Sequence, residues 1–298
     1  MSNIQLITPK PWTEYELIDS GNFQKLERFG EFILSRPEPQ AIWDKSLSDQ
    51  DWERRAHAIF RRDRQSPERG DWQTTPDMRD PWYVTFRQAG LNLKFKLALT
   101  TFKHVGLFPE QADNWAYIHE KVNGLKAHVA RPKVLNLFAY TGGASLAARQ
   151  AGADVTHVDA VKPVISWARE NMDHSELDNI RWVVEDAVKF VRREVRRGNQ
   201  YNGIILDPPA YGRGPDGEKW VLEEQLNDLL KSCADLLDRS DFFFIINLYS
   251  LGFSSLILDN LMQPLFGRVP NPEWGELAVA DQANKRLPLG VFYRFASV

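Results

Sequence analysis

The segment Asp207-Pro208-Pro209-Ala210-Tyr211 combines residue types that suit the presentation of a planar amine to an electrophile. Proline has no N–H group and fixes the chain, so the carbonyls here and the Asp207 carboxylate can act as hydrogen-bond acceptors. The ring of Tyr211 can stack on a planar substrate such as a nucleobase. We therefore predict that Asp207, Pro208, Pro209 and Tyr211 form the reacting part of an active site, with a purely structural turn as the alternative.

Two more acids stand where strand-like runs end. Asp159 ends the run at residues 153–158, and Asp186 follows the run at residues 180–184. A carboxylate at the tip of a strand can accept hydrogen bonds from both hydroxyl groups of a ribose, which is the role predicted for Asp159. Asp186 is suited to accept from the exocyclic amine of adenine. A lone acid of this kind is usually idle, but two in order along the chain favour a nucleoside ligand.

A turn of small residues precedes both acids: Tyr140-Thr141-Gly142-Gly143-Ala144-Ser145. Small side chains let the backbone approach a ligand, and the helix that follows offers free N–H groups at its start. The turn matches neither the glycine fingerprint of dinucleotide sites nor a phosphate-binding loop. By itself it would be interpreted as an ordinary strand-to-helix turn.

The elements that must position these residues alternate between strand and helix. Apolar runs at residues 134–138, 154–159, 180–184 and 203–206 are separated by helical patterns, which predicts a parallel α/β sheet of Rossmann-like type with its ligand at the carboxyl ends. A helix at 220–237, a buried strand at 242–247 and a helix at 254–265 follow. Short strands at 276–283 and 291–296 predict a terminal antiparallel hairpin.

The first third of the chain has a different pattern. Residues 1–98 are rich in tryptophan, arginine and turn residues and show short strand-like runs at 15–21, 23–30, 82–86 and 91–97, with an exposed loop predicted at 65–80. We predict a smaller, mainly β N-terminal domain at 1–98, which binds substrate or acts as a lid. The α/β domain would occupy residues 99–298.

Composition excludes several classes of protein. Cys233 is the single cysteine among 298 residues, so an internal disulfide and a cysteine-rich metal site are excluded. The six histidines lack metal-ligand spacing, and we predict no metal. No apolar run approaches the roughly 20 residues of a membrane span, and residues 1–5 lack a secretion signal. We expect a cytoplasmic protein with no membrane partner, in an oligomeric state that the sequence does not give.

Charge gives little information about a nucleic-acid partner. The formal net charge is -3, and a neutral total can hide a basic patch. Solvated surface is the simpler interpretation of the two basic clusters. They are Lys189, Arg192, Arg193, Arg196 and Arg197, and Arg54, Arg55, Arg61, Arg62 and Arg64.

The order of motifs from about residue 91 onwards resembles that of class I S-adenosylmethionine-dependent methyltransferases. More narrowly it is similar to the bacterial large-subunit ribosomal RNA methyltransferases, whose best-known members methylate cytosine at C5. The features that carry the resemblance are Gly106-Leu107-Phe108-Pro109-Glu110-Gln111, Leu135-Asn136-Leu137-Phe138-Ala139-Tyr140-Thr141-Gly142-Gly143, and Asp207-Pro208-Pro209-Ala210-Tyr211.

The resemblance implies S-adenosyl-L-methionine as cofactor and ribosomal or other RNA as partner. Residues 138–143 would hold the methionine part, Asp159 the ribose, Asp186 the adenine, and Asp207 would face the methyl group. The full set of implied cofactor residues is Phe108, Gln111, Trp115, Phe138, Ala139, Tyr140, Thr141, Gly142, Gly143, Asp159, Ala160, Asp186, Ala187 and Asp207.

The chain departs from this group at the catalytic cysteine. C5 methylation needs a thiolate that attacks C6 of the base, because the aromatic carbon is otherwise unreactive. The group carries this cysteine after the fifth strand of the sheet, where this chain reads Asn247-Leu248-Tyr249-Ser250. Cys233 is predicted to pack within a helix. We therefore predict methylation at nitrogen, whose lone pair can attack the methyl group directly.

Other functions remain open at this point. A methyltransferase acting on a protein or small-molecule nitrogen is the first alternative, and a non-catalytic RNA-binding or assembly module on the same fold is the second. A nicotinamide-dependent oxidoreductase would share the sheet, but its glycine fingerprint is missing and it leaves residues 207–211 unexplained.

Overall fold

A large mixed sheet flanked by helices forms the centre of the protein. The computed structural model describes residues 4–63, 69–249 and 252–298. The strands of this part are β1 (Gln5–Ile7), β2 (Tyr15–Gly21), β3 (Gln24–Phe29), β4 (Phe32–Pro37), β5 (Ala58–Arg62), β6 (Gly70–Thr74), β7 (Trp82–Gln88), β8 (Leu91–Leu97), β9 (Lys133–Leu137), β10 (Asp154–Asp159), β11 (Ile180–Val184), β12 (Gly203–Leu206), β13 (Tyr211–Arg213), β14 (Lys219–Val221), β15 (Phe243–Leu248), β16 (Glu273–Ala280) and β17 (Arg286–Ala296). The α-helices are α1 (Asp49–Arg55), α2 (Ala112–Leu125), α3 (Gly143–Gln150), α4 (Lys162–His174), α5 (Ala187–Arg196), α6 (Leu222–Leu236) and α7 (Ser255–Phe266).

The large sheet has the strand order β1-β16-β17-β15-β12-β9-β10-β11. The strands β15, β12, β9, β10 and β11 run parallel to one another, while β17 pairs antiparallel to β15 and to β16. The central strands β12 and β15 are buried along their whole length, as expected when helices cover both faces. The predicted Rossmann-like sheet with a terminal antiparallel hairpin is therefore confirmed.

The chain order reverses between β9 and β12, and this reversal places the site. From β9 the chain moves outward to β10 and β11 on one side, and then crosses to β12 and β15 on the other. Loops after strands on the two sides of such a switch point separate and leave a crevice at the carboxyl ends. The loops that follow β9, β10 and β12 carry the residues predicted to bind the cofactor.

The N-terminal part folds mainly as β-structure. Strands β2, β3, β4, β5 and β6 form a sheet in that order, and β7 pairs with β8 in a separate hairpin. This hairpin lies on the helices of the large sheet: the Lys96 N–H donates to Asn171 Oδ1 (2.8 Å), and the indole N–H of Trp167 donates to the Lys96 carbonyl (2.9 Å). The boundary proposed between residues 98 and 99 stays a prediction.

A buried ionic network joins the N-terminal sheet to the turn between β16 and β17. The Lys285 ammonium donates to Asp19 Oδ1 (2.9 Å), and the Ser20 hydroxyl donates to Asp281 Oδ2 (2.9 Å). Asp19 also accepts from the indole N–H of Trp52 at 2.9 Å. These contacts fix the orientation of the N-terminal sheet over the carboxyl ends of the large sheet.

Several boundaries differ from the predictions. Strand β16 both begins and ends three residues earlier than predicted, and β17 begins five residues earlier and is longer. Strand β1, which was not predicted, adds to the free edge of β16. The glycine-rich residues 212–217, which precede the predicted helix at 220–237, are partly ordered by the pairing of β13 with β14. Strand β6 lies within the loop predicted at 65–80, of which residues 65–68 lie outside the described part of the chain. No described helix is long and apolar enough to cross a membrane.

Candidate active site

Two neighbouring clefts open at the carboxyl ends of the parallel strands. The main cleft encloses about 530 Å³ of empty space, including its open mouth. Its lining includes, from the predicted residues, Phe108, Gln111, Trp115, Phe138, Ala139, Tyr140, Thr141, Gly142, Gly143 and Asp207. The side cleft, with about 310 Å³ of empty space, is lined by Lys25, Arg36, Glu38, Lys103, His104, Phe108, Glu110 and Tyr249, together with Pro37, Leu107 and Pro109.

The floor of the main cleft is a strained turn after β9. Phe138 (φ 55°) and Tyr140 (φ 49°) both have left-handed backbone conformations, each of which costs about 1–3 kcal/mol in a residue with a side chain. The turn is held by hydrogen bonds: the Thr141 hydroxyl donates to the Gly106 carbonyl (2.7 Å), and the Asn171 amide donates to the Thr141 carbonyl (3.0 Å). Strain of this kind, held in place by surrounding contacts, is typical of a ligand-binding turn.

Glycine is required where the turn enters α3. A Cβ on Gly143 would lie 2.9 Å from ring atoms of Trp115, and one on Gly142, which has φ 94°, would lie 3.3 Å from the Ala168 Cβ. A residue with a side chain at position 143 would displace the Trp115 ring and narrow the cleft. The small residues noticed in the sequence are therefore needed for close packing beside the cleft.

Asp159 lies beside this turn and binds it directly. Its Oδ2 accepts from the Tyr140 N–H (2.9 Å), and its Oδ1 accepts from the Val161 N–H (2.9 Å). Burial raises the pKa of Asp159, while the N–H groups of Val161, Tyr140 and Ala160 lower it less. Each oxygen keeps a second lone pair, so the carboxylate can still accept hydrogen bonds from a diol.

Asp186 has a structural role that its position at a strand end did not indicate. It is the N-cap of α5, and its Oδ1 accepts from the Lys189 N–H at 2.8 Å. Its second oxygen has no hydrogen bond to a described residue. Asp186 and its neighbour Ala187 are buried and lie outside the lining of both clefts.

Asp207 is the carboxyl group in the lining of the main cleft. Burial, and secondly the negative charge of Glu110, raise its pKa to about 7. Burial also raises the pKa of Glu110 to about 7, against the opposing effect of Lys25. A carboxyl group with a pKa near neutrality is suited to accept a proton at physiological pH.

The rest of the segment 207–211 differs from the prediction. The Pro209 carbonyl, predicted as a free acceptor, is engaged by the indole N–H of Trp220 at 2.6 Å. Pro208 is buried, and Tyr211 is 70% exposed on β13, outside the lining of both clefts. Asp207 is thus the only member of this segment that lines the main cleft.

Sequence reasoning missed a polar network behind the cleft. The Asn114 amide donates to Gln111 Oε1 (3.0 Å) and to Asn247 Oδ1 (3.0 Å), and its own oxygen accepts from Arg294 (3.0 Å). Asn136 also lines the cleft and donates to the Ser145 hydroxyl (2.9 Å). Polar residues within apolar strands were the only available sequence signal.

Comparison with known proteins decides the family. The sequence model of the S-adenosylmethionine-dependent methyltransferases matches residues 56–260, more than half of the chain. The chain belongs to the S-adenosylmethionine-dependent methyltransferase family. A methyltransferase of this kind from Agrobacterium tumefaciens has a crystal structure with TM-score 0.90 and 35% identity, covering 100% of this chain and 97% of that one.

Two curated relatives of this methyltransferase are ribosomal RNA enzymes by name. Ribosomal RNA large subunit methyltransferase K/L of Pseudoalteromonas translucida is 32% identical over 147 residues, which is 48% of this chain and 19% of that protein. Ribosomal RNA large subunit methyltransferase I of Photobacterium profundum is 29% identical over 183 residues, 56% of this chain and 44% of that protein. The methyltransferase thus spans less than half of the length of either relative.

The single cysteine of the methyltransferase lies away from both clefts. Cys233 is fully buried within α6, in the cluster that packs α5, α6 and α7 against the large sheet. Burial raises the pKa of its thiol well above the ordinary value. A neutral thiol without access to the cleft is not a nucleophile.

Proposed function

We propose that this methyltransferase methylates a nitrogen atom of an RNA base, with ribosomal RNA as the first substrate to test. The observation that carries the proposal is the cleft itself, which presents a carboxylate acceptor, Asp207, and no thiol. The names of the two relatives support RNA as the substrate class. We also propose that the reaction takes place in the cytoplasm, where a single buried cysteine needs no oxidative partner.

The main cleft fits S-adenosylmethionine by the chemistry of its lining. The turn at 138–143 offers close backbone approach within the lining, and Asp159, which is bound to this turn but lies outside the lining together with Ala160, offers acceptors for the ribose hydroxyls. Asp186 and Ala187 also lie outside the lining, so their contact with the adenine stays a prediction. Phe108, Gln111 and Trp115 would form the rim. When bound, S-adenosylmethionine supplies an electrophilic sulfonium methyl group, and the rings of Phe108 and Tyr140, whose centroids lie 5.3 Å apart, offer a favourable surface to its positive charge.

Asp207 orients the acceptor and takes its proton. The ionised carboxylate accepts a hydrogen bond from the N–H of the base, which directs the nitrogen lone pair toward the methyl group. As the N–C bond forms and the S–C bond breaks, the nitrogen releases a proton, and a carboxylate with a pKa of about 7 can accept it. Most of the rate enhancement would come from orientation within a site closed to water.

The basic cluster on α5 gives only partial support for RNA binding at that surface, because three of its five cations are paired and only Arg192 and Arg196 form no ion pair with a described residue. The Arg193 guanidinium pairs with Glu185 (2.5 Å), Arg197 pairs with Glu194 (3.0 Å), and Lys189 pairs with Asp216 (2.9 Å). This neutralisation keeps a protein or small-molecule nitrogen as the second candidate acceptor.

The test is transfer of a labelled methyl group from S-adenosylmethionine to unmodified ribosomal RNA and ribosomal subunits. Wild-type protein should label RNA, and Asp207→Asn should lose at least about a hundredfold in rate while binding S-adenosylhomocysteine normally. Mapping the labelled atom then separates nitrogen from carbon. Tight cofactor binding without RNA labelling would refute the proposal and redirect the search to proteins and metabolites.

A further inference from the structure

A hydrogen-bond acceptor and a hydrogen-bond donor without partners lie side by side in the main cleft. Leu206 of β12 pairs in parallel with Ile246 of β15, so the next residues, Asp207 and Asn247, stand at the same level of two strands that lie about 4.8 Å apart. Both residues line the main cleft. The Asp207 carboxyl accepts no hydrogen bond from a residue that the structure describes, and the Asn247 amide nitrogen donates none to such a residue.

The orientation of the Asn247 amide is fixed from behind the cleft. Its Oδ1 accepts from the Asn114 amide N–H2 at 3.0 Å, and the other hydrogen of this N–H2 group goes to Gln111 Oε1, also at 3.0 Å. The Asn247 oxygen therefore points toward Asn114, and its nitrogen is turned away. Asn247 is 4% exposed, and buried polar groups are normally hydrogen-bonded. Its N–H2 group is thus available to a ligand in the cleft.

Arg294 decides which way the Asn114 amide faces. A guanidinium group has donors only, so the Asn114 oxygen must turn to it, and the two atoms lie 3.0 Å apart. The guanidinium is itself held by Glu273 (2.6 Å) and Asp113 (2.8 Å), and it lies 4.3 Å from the centroid of the Tyr117 ring. One buried charge therefore sets the direction of every hydrogen bond from Arg294 to the cleft.

The acceptor and donor together select one kind of ligand edge. A carboxylate would meet the Asn247 donor but would be repelled by Asp207, and an ammonium group would leave the Asn247 donor unpaired. An amidine edge, in which an exocyclic amine and an unprotonated ring nitrogen share one carbon atom, offers a donor and an acceptor side by side. Adenine has such an edge at N6 and N1, cytosine at N4 and N3, and guanine at N2 and N3.

The chemistry of transfer favours this edge over the imide edge of uracil, which also places an N–H beside an acceptor. The lone pair of an imide nitrogen is delocalised into two carbonyl groups, so its proton must leave before the nitrogen can attack. The proton of an amine leaves after the N–C bond has formed and the S–C bond has broken, when the nitrogen is positively charged and acidic. The Asp207 carboxylate is a sufficient base for that step.

We propose that Asp207 and Asn247 together bind the amidine edge of the base that is methylated. Asp207 accepts a hydrogen bond from the exocyclic amine, and Asn247 donates one to the neighbouring ring nitrogen. Asn114 and Arg294 are positioning residues, which keep the Asn247 donor directed at the base. This inference rests on the proposed function, and it narrows the substrate to adenine, cytosine or guanine methylated at the exocyclic amine.

The experiment uses two RNAs that differ in one atom of the base to which the label maps. One carries the natural base, and the other carries an analogue in which C–H replaces the ring nitrogen beside the amine. The kcat/KM of methylation is measured for each RNA, and S-adenosylhomocysteine binding is measured by calorimetry. The wild type should prefer the natural RNA about tenfold, the effect of one hydrogen bond. Asn247→Leu should lose this preference, because it is slower on the natural RNA alone, and should bind the cofactor normally.

The positioning residues and a control complete the comparison. Asn114→Asp places a carboxylate oxygen against Asn247 Oδ1, so the Asn247 amide should turn its own oxygen to the cleft and the preference for the natural RNA should disappear. Arg294→Lys keeps a donor for Asn114 and should retain part of the preference. Asn227→Leu, on the exposed face of α6, should match the wild type on both RNAs.

The outcomes separate this inference from the proposed function. A wild type without the preference, or an equal preference in Asn247→Leu, would show that Asn247 does not bind the ring nitrogen, although RNA methylation would stand. A label mapped to a ring nitrogen would also overturn this inference alone. Weakened cofactor binding in Asn247→Leu with the preference retained would assign the amide to the cofactor. If the wild type labels no RNA, or labels carbon or ribose, the proposed function fails and the amidine edge fails with it.

Discussion

The pH dependence of methyl transfer tests the role of Asp207 most directly. The half-buried Asp207 carboxyl has a pKa of about 7, and only its ionised form can accept a hydrogen bond and a proton from the acceptor nitrogen. We expect kcat/KM for S-adenosylmethionine to rise with pH and to reach a plateau above neutrality. The ionised fraction grows from about one-tenth at pH 6 to about nine-tenths at pH 8, so the rate should rise about tenfold.

The assay is transfer of labelled methyl groups at subsaturating S-adenosylmethionine, because this limit reports the pKa of the protein without the cofactor. At saturation the midpoint of kcat should lie at lower pH, since a bound cation favours the carboxylate. Glu110→Gln removes the nearby negative charge and should also move the midpoint of kcat/KM downward. Asp207→Asn should abolish the pH-dependent step.

A rate that is constant between pH 6 and pH 8 in the wild type would refute this reasoning. The same rise in the residual activity of Asp207→Asn would show that another group titrates. A midpoint unchanged by Glu110→Gln would mean that the two carboxyl groups do not interact as their positions indicate.

Four further changes have defined outcomes. Glu110→Gln should raise the free energy of unfolding at pH 8 by up to about 3 kcal/mol and change it little at pH 4. The reason is that the raised pKa makes the protonated Glu110 carboxyl compatible with folding, and this contribution to stability is lost as the pH rises to 7 and above. Urea titration at both pH values measures the free energy of unfolding. Gly143→Ala should weaken S-adenosylhomocysteine binding and cost about 1–3 kcal/mol of stability, because the added Cβ clashes with Trp115. Trp115→Phe in the same chain should recover part of the binding. An unchanged affinity for S-adenosylhomocysteine in calorimetry would contradict the close packing. Asp159→Asn should weaken S-adenosylhomocysteine binding about tenfold or more, since its amide N–H2 would face an N–H donor of the turn; equal affinity would exclude Asp159 from the site. Cys233→Ala should keep RNA methylation within about twofold, and a complete loss of transfer in a folded variant would revive a thiol mechanism.

The hydrophobic pattern of the sequence was sufficient to predict the central sheet. Strands such as β12 and β15 are short, apolar and buried on both faces, and this leaves an unbroken hydrophobic run that is visible in one sequence. The turn at 138–143 was also visible, because close packing against Trp115 demands glycine. Strand β1 could not be seen in the sequence, because a three-residue edge strand is defined by the free edge of β16 and has little hydrophobic pattern of its own.

The residues of the candidate site also fall into two groups, those that the sequence located and those whose position only the folded structure explains. Asp159 and Asp207 could be found because parallel strands bring their carboxyl ends to one edge, so the order of strands along the chain is enough to gather them. The engagement of the Pro209 carbonyl by Trp220 and the exposure of Tyr211 follow from the pairing of β13 with β14, which turns the segment away from the cleft.

The sequence by itself determined the methyltransferase sheet, the strand-end acids and the absence of a nucleophilic cysteine near the fifth strand. Tertiary structure alone decided that Lys25, Arg36 and Glu38 of the N-terminal part meet Glu110 and Tyr249 beside the main cleft. Strand and turn patterns depend on neighbours along the chain, whereas this cluster depends on contacts such as that between Glu38 and Tyr249, which are 211 positions apart. The raised pKa of Asp207 has the same origin, since burial and the charge of Glu110 exist only once the chain has folded.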